Sequence, residues 1–96
     1  MNQAVLPKVF ALEIDGVPTL TSEAVNIREV RQLCREQWLK EDLSEARSGG
    51  SPLWDGNAKL STRLAKPDER ALFADVARAG SELEEMLIVY LVHLDA

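Results

Sequence analysis

Residues 9–24, VFALEIDGVPTLTSEA, decide the fold. As far as Asp15 they alternate, Phe10, Leu12 and Ile14 on one side and Val9, Ala11 and Glu13 on the other, which is the period of a half-buried strand. Asp15-Gly16 then signals a turn. With Leu12 opposite Leu20, regular pairing puts Ile14 opposite Pro18 and leaves a three-residue loop, Asp15 to Val17. The second strand, Pro18 to Ala24, carries Thr19, Thr21 and Glu23 on its other side. Because Pro18 also lacks an amide proton, this strand is expected at a sheet edge.

Downstream of the hairpin, Asn26 is a good N-cap for one helix from Ile27 to Glu45, a stretch free of Gly and Pro. On a helical wheel Ile27, Val30, Leu33, Cys34 and Trp38 share one side, which is expected to pack on the sheet. Arg28, Arg31 and Arg35 run along its margin, and Glu29, Glu36 and Lys40 fall on the far side. Ser48-Gly49-Gly50-Ser51-Pro52 should end regular structure and makes 46–53 a flexible internal loop. After a second Asp-Gly turn at Asp55-Gly56, residues 58–65 alternate again and predict a third strand, with Leu60, Thr62 and Leu64 opposed to Lys59, Ser61 and Arg63. Pro67 suits the first position of a second helix over 67–79, with Asp68 and Glu69 in its first turn and Leu72, Phe73, Val76 and Ala77 on its apolar side. Gly80 is its expected cap.

The C-terminal stretch supports two readings. Ser81 with Glu84 has capping-box spacing, and Leu83, Leu87, Tyr90, Leu91 and Leu94 fit a helical stripe. Ile88-Val89-Tyr90-Leu91-Val92 is instead a β-branched and aromatic run, which favours a turn at 81–85 and a strand over 86–94. A strand apolar on both faces should be central. The expected architecture is α+β, in the order β-β-α-β-α-β, a mainly antiparallel four-stranded sheet with two helices packed on one face.

The inventory bounds the function. Ninety-six residues make a single domain, and 46% of them are hydrophobic, so the chain can build a core but holds little stability in reserve. The formal charge of −5 is distributed unevenly: residues 68–96 carry −5, whereas 48–67 carry +2. An acidic domain lacks the basic footprint of nucleic-acid binding or of an anionic membrane surface. Cys34 is the only cysteine and His93 the only histidine, so neither a disulfide nor structural zinc is expected. The longest apolar run, Met86 to Val92, is far short of the roughly 20 residues of a membrane-spanning helix. Met1 to Pro7 has no basic region followed by an apolar stretch; it is expected to be a disordered tail, and the chain cytoplasmic. Phosphate-loop, dinucleotide, EF-hand, serine-hydrolase and zinc-protease motifs are missing, so no enzyme, cofactor or metal is expected.

With both helices on one side, the other sheet face would expose Val9, Ala11, Thr19, Thr21, Lys59, Ser61 and Arg63 around part of the last strand. That part is either Leu87, Val89 and Leu91 or Ile88, Tyr90 and Val92, an apolar middle in which Val89, Tyr90 and Leu91 are candidate partner contacts. An apolar centre with a polar rim suits a protein interface, so a homodimer through this face is the first expectation, with internal burial by a curling hairpin as the alternative. Arg28, Arg31 and Arg35 are candidates for a small anionic ligand, since guanidinium groups grip carboxylate and phosphate bidentately, although such a stripe is also an ordinary solvated margin. Trp54, beside a turn, is a better contact candidate than Trp38, which is assigned to the core. Glu82, Glu84 and Glu85 supply carboxylates for a hard cation or act as solubilising charges ahead of a strand. The Ser48 to Ser51 amides can wrap an anion, though flexibility is the default reading.

Val9 to Leu20 (VFALEIDGVPTL) and Ser51 to Ala65 (SPLWDGNAKLSTRLA) are similar to short hypothetical proteins of alphaproteobacteria, a family of uncharacterised function. The resemblance implies a bacterial cytoplasmic protein and carries no activity or catalytic residues. The expectation is therefore a non-enzymatic interaction module that meets a protein partner, foremost itself, with anion binding at the arginine stripe as the alternative.

Overall fold

The computed structural model describes residues 7–79 and 87–95. Its elements are β1 (Lys8–Ile14), β2 (Val17–Ala24), α1 (Ile27–Leu33), α2 (Gln37–Glu45), β3 (Arg47–Ser48), β4 (Ser51–Pro52), β5 (Leu60–Leu64), α3 (Pro67–Ala79) and β6 (Ile88–Tyr90). Strands β5-β1-β2-β6 form one antiparallel sheet in that order, and β3 and β4 form a separate ribbon. The expected class holds: α+β, a four-stranded antiparallel sheet with helices packed against it. The expected tail at Met1 to Pro7 (all but Pro7), the Gly80 cap, the turn at 81–85 and the carboxylates Glu82, Glu84 and Glu85 lie outside the described residues.

The hairpin closes more tightly than regular pairing predicts. Leu12 does face Leu20, but Glu13 pairs with Pro18 and Ile14 with Val17, so Thr19 is a bulge and the loop is only Asp15-Gly16. Both loop residues have positive φ, 53° and 83°, which an Asp-Gly pair tolerates and a two-residue hairpin turn of type I′ requires. Nor is β2 an edge strand: β6 pairs with it over Leu20–Tyr90, Thr21–Val89 and Ser22–Ile88. Pro18 lies outside those pairs, and the threonines satisfy their hydroxyls on backbone instead of water. Thr21 Oγ1 donates to the Val89 carbonyl at 3.1 Å and Thr19 Oγ1 to that of Val17 at 2.9 Å, both side chains being buried. The last strand is shorter than expected and sits at an edge rather than in the centre.

The helix expected over 27–45 is divided. Asn26 Oδ1 accepts the Glu29 amide, as an N-cap should, but the chain leaves the helix after Leu33 through tightened bonds from the Arg35 and Glu36 amides to the carbonyls three residues back. The reason is visible on the wheel: in a continuous helix Leu39 and Leu43 would stand at about 120° and 160° from Ile27, far around from the stripe that holds Val30 and Leu33. The break re-aims α2 so that both leucines are fully buried, and Trp38, assigned to the core from the sequence, is 43% exposed.

The main core joins Phe10, Leu12, Ile14 and Leu20 of the sheet to Val30 and Leu33 of α1 and Leu39 and Leu43 of α2, with Ile88 and Tyr90 against it. The other sheet face is not left to solvent. There α3 packs on β1, β2 and β6, contributing Phe73, and Ala11, Thr21 and Val89 are all buried. The helices thus cover both faces rather than one. Residues 88–90 are apolar on alternate sides because each side meets its own layer.

The start of α3 is tied to this second layer by charge. Arg63 on β5 grips Glu69 with two bonds, Nη1 to Oε1 at 2.7 Å and Nη2 to Oε2 at 3.0 Å, and its Nε reaches Glu13 at 2.9 Å. Glu69 also accepts the Lys66 amide at 2.8 Å, the reaching-back half of a capping box, so one carboxylate both caps the helix and fastens it to the sheet.

Candidate functional site

The Trp54 segment is built by local hydrogen bonding. Asp55 Oδ1 accepts the Asn57 and Ala58 amides, both at 2.8 Å, and these bonds hold its carboxyl below the ordinary range. Gly56, at φ 92°, supplies the left-handed position the turn needs. This geometry brings the Ala58 carbonyl under the indole, whose Nε1 donates to it at 2.9 Å, while the Trp54 amide donates to the Leu43 carbonyl at 3.1 Å. The half-buried residue is held at its indole N–H and at its backbone amide.

Beside it opens a groove of about 470 Å³ between the end of α1, the start of α2 and strand β5. Arg31 and Arg35 line it from α1 and Lys40 from α2, facing Trp54 and the Leu60 to Thr62 stretch. Among the described residues none of these three cations makes an ion pair; the ion pairs belong to Arg63 and Arg78. Cys34 also lines the groove, half-buried, and burial pushes its thiol up to about 11, which favours the protonated form. Lys40 and Trp54 also border a second, smaller depression of about 350 Å³, together with Glu41 and Glu45 of α2.

The sequence candidates separate accordingly. Arg31, Arg35 and Trp54 come together, whereas Arg28, exposed on α1, does not line the groove. Val89 is buried beneath α3, and Tyr90 packs on the main core, its hydroxyl pushed upward by burial and by nearby Asp42. Leu91 donates its amide to the Thr19 carbonyl at 2.7 Å. These three residues do not form an open patch. His93 follows β6, the strand at the sheet edge opposite β5, and does not line the groove that holds Cys34. Lys40 was missed because a continuous helix puts it on the far side; the break at 34–36 brings it in.

The loop 46–53 carries regular structure after all. Gly49 and Gly50, both with positive φ, turn the β3–β4 ribbon, and their amides hold the Asp95 carboxylate at 3.1 and 2.7 Å. The amide-lined anion site expected there as an option is occupied by the chain's own Asp95. No group of three or more metal-ligating side chains occurs among the described residues, and no described helix is long and apolar enough to cross a membrane. Compared with family models, curated proteins and solved structures, the chain matches none.

Proposed function

We propose that this chain is a non-enzymatic binding domain whose groove at Arg31, Arg35, Lys40 and Trp54 receives an anionic group presented by a partner. One observation carries the reading: in a protein of net charge −5, three cations without ion-pair partners among the described residues converge on a single groove beside an immobilised indole. Uncompensated positive charge gathered in a concave site attracts anions, and a fixed aromatic surface adds contact area without ordering cost. Thermal shift with phosphate and citrate tests it. At ten times the dissociation constant the ligand should raise the melting temperature by roughly 5 to 10 °C, since binding only the native state stabilises by about 1.4 kcal/mol. The Arg31→Glu, Arg35→Glu double variant should abolish the shift; an equal shift in that variant contradicts the assignment.

Self-association is a second reading, and it needs a surface other than the covered sheet face. Leu72 and Val76, one turn apart on α3, are 42% and 38% exposed and form an apolar strip. Light scattering should then find a dimer that the Leu72→Glu, Val76→Glu variant dissociates. A wild-type monomer across micromolar concentrations removes this reading.

A further inference from the structure

Strand β5 is an edge of the sheet, and its hydrogen-bond parity determines which groups point outward. Asp15 donates its amide to the Lys59 carbonyl at 2.8 Å, and the Ala65 amide donates to Val9 at 3.0 Å. In an antiparallel ladder bonded and non-bonded pairs alternate, so Ser61 and Arg63 turn their backbone groups inward to β1 while Leu60, Thr62 and Leu64 turn theirs outward. Two outward carbonyls at the ends of this row have side-chain donors: Trp54 Nε1 bonds the Ala58 carbonyl and Arg63 Nη1 the Leu64 carbonyl. Between them the amides of Leu60, Thr62 and Leu64 and the carbonyls of Leu60 and Thr62 have no partner among the described residues. That is an open ladder of about 14 Å, the length of a five-residue strand.

The ladder and the cationic groove share residues, since Leu60 and Thr62 line the groove that holds Arg31, Arg35 and Lys40. Exposed Lys59 and Lys66 flank the strand at either end. We infer that β5 receives an extended acidic segment of a protein partner by strand addition, its backbone completing the ladder and its carboxylates meeting the groove cations. Charge complementarity selects the occupant: a basic or neutral strand finds the same ladder but loses the attraction of five neighbouring positive side chains. The inference rests on the anion-binding reading of the groove and adds to it the backbone pairing that a free anion lacks.

Two probes separate anion binding from strand addition: inorganic phosphate and the soluble peptide acetyl-Glu-Val-Glu-Val-Glu-Val-Glu-amide. Amide hydrogen exchange is followed by NMR on the full chain, free and saturated with each. The peptide should slow exchange at Leu60, Thr62 and Leu64 at least tenfold and leave Ser61 and Arg63, already bonded inward, little changed. Phosphate should shift the Arg31 and Arg35 signals without slowing those amides. Peptide binding that shifts Arg31 and Arg35 but leaves the three amides exchanging as in the free protein overturns strand addition and keeps the anion site. Phosphate binding with no peptide binding has the same meaning, and binding of neither probe overturns both.

Discussion

Truncating Leu39 to alanine should cost about 3 kcal/mol of folding stability, within the roughly 2 to 5 kcal/mol usual for a buried leucine, and Leu43→Ala should cost a similar amount. Both side chains are fully buried between α2 and the sheet, so alanine leaves a cavity as well as losing apolar contact. The neighbouring Trp38→Ala change removes far more atoms but should cost less than either leucine truncation, because the residue is 43% exposed and leaves no enclosed cavity. Urea unfolding of the three variants checks the order. A continuous helix over 27–45 demands the reverse, with Trp38 in the core and Leu39 in water, so a larger loss at Trp38 contradicts the break at 34–36. The size of the effect matters because a 96-residue domain has only about 5 to 14 kcal/mol to lose.

The second large effect is expected at Arg63. Its removal leaves Glu13 and the 8%-exposed Glu69 facing each other across the sheet–helix joint without a counter-ion. A fully buried pair broken this way loses about 3 to 5 kcal/mol; with Arg63 itself a quarter exposed, Arg63→Ala should lose about 2. The same contact predicts a pH dependence. The bidentate bond from Arg63 holds the Glu69 carboxyl down to about 2, below its ordinary 4.5, so at intermediate pH the unfolded chain binds more protons than the folded one. The stabilisation is therefore complete above about pH 5 and is lost as the pH falls towards 2, by an amount on the order of 2 kcal/mol. Urea midpoints of wild type and Glu69→Gln measured from pH 7 to 2 should converge at the acid end. Parallel curves would show that Glu69 is not held by Arg63.

Much of this architecture is legible in the residues themselves. The alternation of Phe10, Leu12 and Ile14, the Asn26 cap and Pro67 at the start of α3 are local signals, and local physics decides them. What escapes is set by the third dimension. A bulge at Thr19 changes register without altering the alternation that predicts it, and a buried threonine pair looks like a polar face until its hydroxyls find the carbonyls of Val17 and Val89. Leu39 and Leu43 did carry the signal for the helix break, since their wheel angles conflict with a single stripe. The candidate site was half legible for the same reason: Arg31, Arg35 and Trp54 can be picked out by type, but Lys40 and the β5 edge join them only once the helix divides and the sheet order is known.

If the groove at Arg31, Arg35, Lys40 and Trp54 receives anions, residue-resolved NMR titration with phosphate at low ionic strength reads the binding at those side chains. Low salt preserves the attraction between exposed charges. Saturable shifts should concentrate at the Arg31 and Arg35 signals, the Trp54 indole N–H and the amides of 60–62. Shifts spread evenly over Arg28, Arg47, Arg70 and Arg78, or a groove that stays silent while phosphate is raised to saturation, would contradict anion binding there.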